Sequence, residues 1–212
     1  MLGRRALGAL AAGVLPLLAS ACGSPAPPAF HPAGTTTPAP SPSASLAHFP
    51  FPPDVHIEFQ SPLPTDPQQA AAVITDRNFQ LAWYYALYTV GKQVRFAPYI
   101  SSRSELTHAE ISLAQGTSDH LSFTGTLRFF DTTVQPAAGI PADLAVTSCG
   151  DNSRLLNTEP GTRKVVPDTT TPPDQHYFLQ RDTYAPAGNG KWGLVADKVS
   201  FYPDGNAKEC KP

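Results

Sequence analysis

The chain has 212 residues, with 15 Lys or Arg, 17 Asp or Glu and a formal net charge of −2. A nucleic-acid-binding protein is expected to carry a clustered basic face. No clustered basic stretch occurs in the sequence, so we exclude nucleic acid as a partner.

The first 21 residues have the pattern of a secretory signal peptide. Arg4 and Arg5 precede an uncharged, largely apolar run, residues 6–21, which ends in small residues. The run is shorter than the roughly 20 apolar residues that span a membrane, and it contains Pro16. We therefore predict cleavage, and the loss of both arginines takes the formal net charge from −2 to −4.

Cys22 stands at the end of this segment. Residues 18–22, which read LASAC, resemble the lipobox of bacterial lipoproteins, with Ala19 where leucine is usual. The resemblance implies cleavage before Cys22, diacylglycerol on its thiol and anchoring at the extracytoplasmic face of the cell membrane. Two or more acyl chains make such an anchor stable. The alternative is an ordinary secretory signal with an incidental cysteine.

Residues 22–53 form the next predicted segment, a disordered tether. The stretch is rich in Pro, Ala, Ser and Thr and has almost no charge and no apolar periodicity. Such a composition does not bury a core and favours an extended polyproline II chain. We expect the tether to hold a globular domain, residues 54–212, away from the membrane.

The globular domain begins with a strand and two helices. Val55 to Phe59 alternates apolar and polar residues, as a half-buried strand does. Asp66 and Pro67 are typical of a helix start, and Gly91 fits the end of that helix. A second helix is predicted from a Ser101 or Ser102 cap to Gly116.

Four strands with alternating residues follow the helices, and they are predicted near residues 121–129, 144–148, 177–181 and 195–201. Residues 152–174 are rich in turn formers, so we predict a long loop there. Helices that precede a run of strands indicate an α+β domain, with both helices packed on a curved antiparallel sheet.

Two cysteines remain after Cys22, and an oxidising compartment favours a disulfide between Cys149 and Cys210. Neither has another Cys or a His at the spacing of a zinc site, so a metal site is disfavoured. His108, His120 and His176 share no local spacing; a metal trio assembled in space is the alternative. We predict no metal and no cofactor.

The order of these elements resembles the nuclear-transport-factor-two-like fold, also called SnoaL-like and related to the cystatin roll. The helix start TDPQQA, the stretch WYYAL and the run SCGDNS resemble secreted or lipoprotein domains of actinobacteria. The resemblance covers roughly residues 54–210. It implies a cone in which the sheet wraps the first helix and leaves a pocket. Enzymes and binding modules share this fold, so the fold alone gives no function.

Five residues are candidates for the lining of such a pocket: Tyr84, Tyr85, Tyr88, Asp151 and His176. In isomerases and cyclases of this fold a pocket acid or base works with a hydroxyl donor, which implies a tyrosine paired with Asp151 or His176. The alternative is a purely structural role: the tyrosines would form an aromatic stripe in the core, and Asp151 would shape a turn. No G-x-S-x-G motif is present.

We therefore predict a non-enzymatic domain that binds a small apolar ligand or an envelope protein. One alternative is a pocket enzyme of the cyclase or isomerase kind. The other is a structural module that forms a homodimer.

Overall fold

The computed structural model describes residues 45–168 and 172–210. The predicted signal peptide and Cys22 lie outside the described residues. Two α-helices and five strands form the fold: β1 (Val55–Phe59), α1 (Pro67–Tyr88), α2 (Arg103–Gly116), β2 (Ser122–Ala137), β3 (Ile140–Thr158), β4 (Tyr177–Pro186) and β5 (Trp192–Phe201). Short 3-10 helices span Ala97–Tyr99, Pro173–His176 and Gly205–Cys210. The predicted α+β class is confirmed.

The five strands form one sheet in the order β1-β2-β3-β4-β5. The pairs β2–β3, β3–β4 and β4–β5 are antiparallel, as predicted. The pair β1–β2 is parallel, so the sheet is mixed and not wholly antiparallel. The chain between β1 and β2 passes through both helices, which gives it the length that a parallel connection needs.

Helix α1 starts and ends where its sequence predicts. The carboxylate of Asp66 accepts hydrogen bonds from the N–H groups of Gln68 and Gln69, at 3.0 and 2.9 Å. At the other end the Gly91 N–H donates to the Ala86 carbonyl at 2.9 Å, closing a Schellman-type cap. The left-handed residue that precedes Gly91 is Val90, with φ 52°. A β-branched residue is strained there.

Helix α2 begins at the predicted cap, where the Ser102 hydroxyl accepts from the Glu105 N–H at 3.3 Å. Both helices pack on the sheet through one large apolar cluster. Its buried members are Phe49, Ala72, Val73, Phe79, Ala82, Tyr85, Ala86, Phe96, Ala109, Leu113, Leu144, Val146, Tyr184 and Leu194.

Strand β3 is longer than its sequence predicts. Residues 152–158, predicted as the start of a long loop, pair with β2, and the loop begins only after Thr158. Val166 N–H donates to the Asn157 carbonyl at 2.9 Å, which folds the loop back on β3. The prediction was wrong because the turn-forming residues of this segment are held in the sheet by partners distant in sequence.

A β-bulge bends β3 in this extension. Thr126 of β2 pairs with Arg154 and Arg128 pairs with Asp151, so Leu127 alone faces two residues of β3. The Asp151 carboxylate accepts from the Ser153 N–H at 2.9 Å within the bulge. Bulges increase the local bend and twist of a sheet. This one curves the sheet around the helices.

Packing against α1 extends into the predicted tether. Phe49 is buried, and the Phe51 ring meets Tyr85 edge-on at 5.3 Å between centroids. The Ala47 N–H donates to Asn78 Oδ1 at 2.7 Å. The folded part therefore includes residues 47–51, which we call the N-terminal arm, upstream of the predicted domain start at Asp54.

A disulfide joins Cys149 in β3 to Cys210 in the last 3-10 helix, as predicted. Both cysteines are buried. In residues 45–168 and 172–210 no helix combines the length and apolar character that crossing a bilayer requires.

Candidate functional site

A cavity of about 560 Å³ lies between the helices and the curved sheet. Apolar side chains from α1 and from all four long strands make most of its wall: Phe79, Trp83, Leu87, Phe123, Leu155, Phe178, Val199 and Phe201, with Leu121 just before β2. The polar lining residues are Gln80, Tyr84, His108, Ser112, Asp119, Ser122, Asn152, Asn157, Gln180 and Asp197. Apolar surface therefore predominates in the cavity, although the polar lining residues are about as numerous as the apolar ones.

Gly150 of β3 makes room for one wall of the cavity. A β-carbon at this position would lie 2.1 Å from the ring of Phe178. Only glycine lets the ring lie flat against the strand at this point. The backbone of β3 therefore positions the Phe178 side chain that lines the cavity.

A hydrogen-bonded set of carboxyl and amide groups lies beneath the polar lining. Gln80 Nε2 donates to Asp182 Oδ2 at 3.0 Å. Gln180 Nε2 donates to Asp182 Oδ1 at 2.8 Å and to Asp197 Oδ1 at 2.7 Å. Asp182 is fully buried, and Gln80 and Gln180 are nearly so. One amide thus links a buried carboxyl to Asp197, which lines the cavity.

The set continues into the core through Asp76 of α1. The Tyr184 hydroxyl donates to Asp76 Oδ1 at 3.1 Å, and both residues are buried. Asp76 also shares a side-chain hydrogen bond with Asp182, which in turn shares one with Asp197. We call Asp76, Asp182, Asp197, Gln80, Gln180 and Tyr184 the carboxyl network.

Burial determines the protonation of this network. It raises the pKa of Asp76 to about 6, against the lowering effect of hydrogen bonds with Asp182 and Tyr184. It raises the pKa of Asp182 well above the usual range, and the charges of Asp76 and Asp197 raise it further. A carboxyl flanked by two others in a dry site keeps its proton. Asp182 is therefore the protonated member.

Asp197 and Tyr84 carry the chemistry at the cavity surface. Burial raises the pKa of Asp197, while hydrogen bonds with Asp182 and Gln180 and the charge of His108 oppose the rise. Burial also raises the pKa of Tyr84, and the charges of Asp197 and Asp182 add to it. Tyr84 therefore stays a phenol that can donate a hydrogen bond beside a carboxyl that can accept one.

His108 of α2 is the remaining basic group of the lining. Its Nδ1 lies 3.5 Å from Glu105 Oε1, one helical turn earlier, and most of its side chain is exposed. Glu105 itself is buried. His108 therefore sits at the rim of the cavity, held by a carboxylate of its own helix.

The predicted pocket residues separate into two groups. Tyr84 lines the cavity, and His176 Nδ1 lies 2.9 Å from Oδ1 of Asn152, which also lines it. Tyr85 packs against the N-terminal arm, and Tyr88 lines a separate cleft of about 290 Å³.

Asp151 is not part of the cavity lining either. It is buried and forms an ion pair with Arg128 of β2. Burial acts to raise its pKa, but the hydrogen bonds from Ser153 and Arg128 outweigh burial and lower it. The interpretation of Asp151 as a backbone-shaping residue agrees with its bond to the Ser153 N–H, although it shapes a bulge and not a terminal turn.

Sequence reasoning missed the carboxyl network. On β4 the helix-facing side chains are Phe178, Gln180, Asp182 and Tyr184, all buried, so three of the four are polar. The predicted alternation over residues 177–181 locates the strand but does not show which face is buried. The available signal was the four-residue spacing of Asp76, Gln80 and Tyr84, which places three polar groups on one stripe of a mostly buried helix.

Among the described residues, no group of three or more His, Cys, Asp or Glu side chains is arranged to hold a metal ion. This includes the carboxyl network and the three histidines considered above. Hydrogen bonds from Gln80 and Gln180 link the described carboxyls of the network.

The chain matches no protein-family model and no curated protein. Among solved structures it is similar to a protein from Shewanella frigidimarina described as a "putative ketosteroid isomerase". The two share 10% sequence identity with a TM-score of 0.32, and the match covers 59% of this chain and 94% of the other. A similarity this distant assigns no activity to the chain.

Proposed function

We propose that this domain binds a small, mainly apolar molecule in the cavity. The observation that carries the proposal is the cavity itself, about 560 Å³, with a predominantly aromatic and aliphatic surface between its polar groups. Ligand pockets commonly measure about 300–1,000 Å³ and have this composition. An apolar ligand would displace water from the apolar surface of this cavity, and removing such surface from water favours binding.

The proposal includes the setting of the domain. We propose that lipid on Cys22 anchors the chain at the extracytoplasmic face of the cell membrane, as the sequence predicts. Two helices followed by four long antiparallel strands support the proposed relationship to the nuclear-transport-factor-two-like fold. Mass spectrometry of the mature N terminus tests the anchor, because an unmodified N terminus or a different first residue would contradict it.

Binding is tested with a neutral fluorescent probe, N-phenyl-1-naphthylamine. We expect its emission to rise on addition of the domain, and Ser112→Phe to weaken binding at least tenfold, because Ser112 lines the cavity and the ring would fill it. Ile111→Phe is the matched control, since Ile111 is exposed on the same helix and is not part of the lining. Equal affinity in both variants would contradict the proposed site.

The two tryptophans give an independent measurement. Trp83 lines the cavity, whereas Trp192 is not among the lining residues. We expect a ligand that accepts no energy from tryptophan, decanol, to shift the Trp83 emission of Trp192→Phe and to change the Trp192 emission of Trp83→Phe much less. A shift confined to Trp192 would place the ligand elsewhere.

A second candidate function is proton transfer to a bound carbonyl compound. Asp197 is a desolvated carboxyl, Tyr84 a hydrogen-bond donor, and both line the same cavity with His108 at the rim. A carboxylate base and a phenol donor are the groups that enolisation requires, and a positioned base typically contributes about 100-fold or more.

Enolisation is tested by deuterium exchange at the carbon next to the carbonyl of a cyclic ketone, followed by NMR. Catalysis predicts exchange by the wild type, about 100-fold slower exchange in Asp197→Asn, and unchanged binding of the neutral probe. Exchange at the uncatalysed rate in the wild type would reject catalysis and leave the binding proposal standing.

A further inference from the structure

The lining of the cavity contains acidic side chains but no lysine or arginine. Its ionisable members are Asp119, Asp197, His108 and Tyr84, and none of the lining residues is Lys or Arg. Asp197 already receives the Gln180 amide at 2.7 Å and is backed by the protonated Asp182. The polar end of the cavity therefore offers an acidic group without a side-chain cation of fixed charge.

Aromatic rings line the same cavity as this acidic group. Tyr84 meets Phe123 nearly edge-on at 6.3 Å between ring centroids, and Trp83 stacks on Phe79 at 6.4 Å. All four rings line the cavity. Ring faces attract cations, by about 0.5–1 kcal/mol at exposed sites and about 2 kcal/mol or more when the cation is desolvated. A cavity that combines aromatic rings with a carboxyl is thus suited to an organic cation.

We infer that the cavity selects an apolar molecule that carries a positive charge, such as a protonated or quaternary amine, with the charge beside Asp197 and the apolar part against Trp83 and the neighbouring rings. The inference rests on the proposed function and names the class of ligand.

The same lining disfavours fatty acids and other anionic lipids. A ligand carboxylate near Asp197 would meet a like charge in a poorly hydrated space, where no lining Lys or Arg offsets the repulsion. A buried charge without a partner is expensive. A neutral ligand avoids this cost but gains nothing from Asp197, so affinity should follow the order cation, neutral molecule, anion.

A matched set of probes tests this order: decyltrimethylammonium, decanol and decanoate, each below its micelle concentration. Each competes with N-phenyl-1-naphthylamine for the full chain, at fixed pH and ionic strength. We expect the cation to bind at least tenfold more tightly than decanol, equivalent to about 1.4 kcal/mol, and decanoate to bind most weakly.

Asp197→Asn should reduce the preference for the cation over decanol to about twofold or less, because the charge attraction that favours the cation is lost. The asparagine keeps an oxygen for the Gln180 amide, so the fold should survive, which thermal melting verifies. Asp131→Asn is the control for net charge, because Asp131 is exposed and has φ 49°, a conformation that asparagine also tolerates.

The outcomes separate the two proposals. If the neutral probe and decanol bind but the cation shows no advantage, or decanoate binds best, the inference is wrong and the proposed function stands. If the neutral probe itself does not bind, the proposed function is wrong. A cation preference that Asp131→Asn abolishes as fully as Asp197→Asn would assign it to overall charge and overturn the inference.

Discussion

Adjacent tyrosines of α1 lie in opposite kinds of surroundings. Tyr85 is buried against Phe49 and Phe51 of the N-terminal arm, and the Arg95 guanidinium lies 5.5 Å from the centroid of its ring. Tyr84 is half-buried, lines the cavity, and shares its stripe of the helix with Asp76 and Gln80 of the carboxyl network. The same helix therefore carries a dry structural contact on one side and a polar site on the other. Residue type alone does not distinguish the two tyrosines.

Removing a contact between α1 and the N-terminal arm should have the largest effect on stability. Phe→Ala changes in cores cost about 3–5 kcal/mol, and we expect Phe49→Ala to lower the free energy of unfolding by about 3 kcal/mol with probe binding unchanged. Urea denaturation measures the loss. Leu46→Ala is the control, since Leu46 is exposed and should change stability by less than about 0.5 kcal/mol. Equal small losses would show that the arm is not part of the core.

Changes to the carboxyl network should make the stability of the fold depend on pH. The pKa of Asp76 is about 6 in the folded chain against an ordinary value of 3.8. The folded chain therefore holds this proton more tightly, and the resulting stabilisation is complete below 3.8 and is lost as pH rises through about 6. Asparagine at position 76 has no proton to lose.

We therefore expect Asp76→Asn to gain stability relative to the wild type between about pH 4 and about pH 7, by on the order of 1–3 kcal/mol. Chemical denaturation of both proteins across this range measures the difference in unfolding free energy. A difference that stays constant with pH would contradict the protonation assigned to the network.

The smallest effect on stability is expected at the C-terminal end of α1, away from both the N-terminal arm and the carboxyl network. Val90 has φ 52°, which costs a β-branched residue about 1–2 kcal/mol. Glycine removes this strain but adds freedom to the unfolded chain. Val90→Gly should therefore stabilise the fold by about 0.5 kcal/mol, seen as a higher Tm, whereas Thr89→Gly, at φ −84°, should destabilise it. A lower Tm for Val90→Gly would disprove the strain.

The sequence was sufficient for features with a local cause. Asp66, Ser102 and Gly116 mark helix ends through contacts within a few residues, and the structure places the ends there. The cysteine pair was predictable because two candidates remained once Cys22 was assigned to the lipid. These signals need no knowledge of what packs against them.

The features that the sequence did not predict depend on partners distant in sequence. The buried face of β4 is polar because Gln180 and Asp182 bond to Gln80 and to each other, and the alternation within β4 does not show which of its faces is buried. Residues 45–53 have the composition of a tether, yet Phe49 finds a site on α1. The resemblance implied both the cavity and a pocket carboxyl, but the carboxyls that line the cavity are Asp119 and Asp197 and not Asp151.

The bulge in β3 lets the curvature of the site depend on the backbone, while its chemistry depends on the side chains that line it. Asn152 and Leu155 are three residues apart, which on a regular strand would point them to opposite faces, yet both line the cavity. The additional residue in the bulge shifts the alternation of side chains by one position, so both residues face the cavity, and it bends the strand at that point. Related chains could thus exchange lining side chains for new ligands while the curvature persists, so specificity can diverge without rebuilding the scaffold.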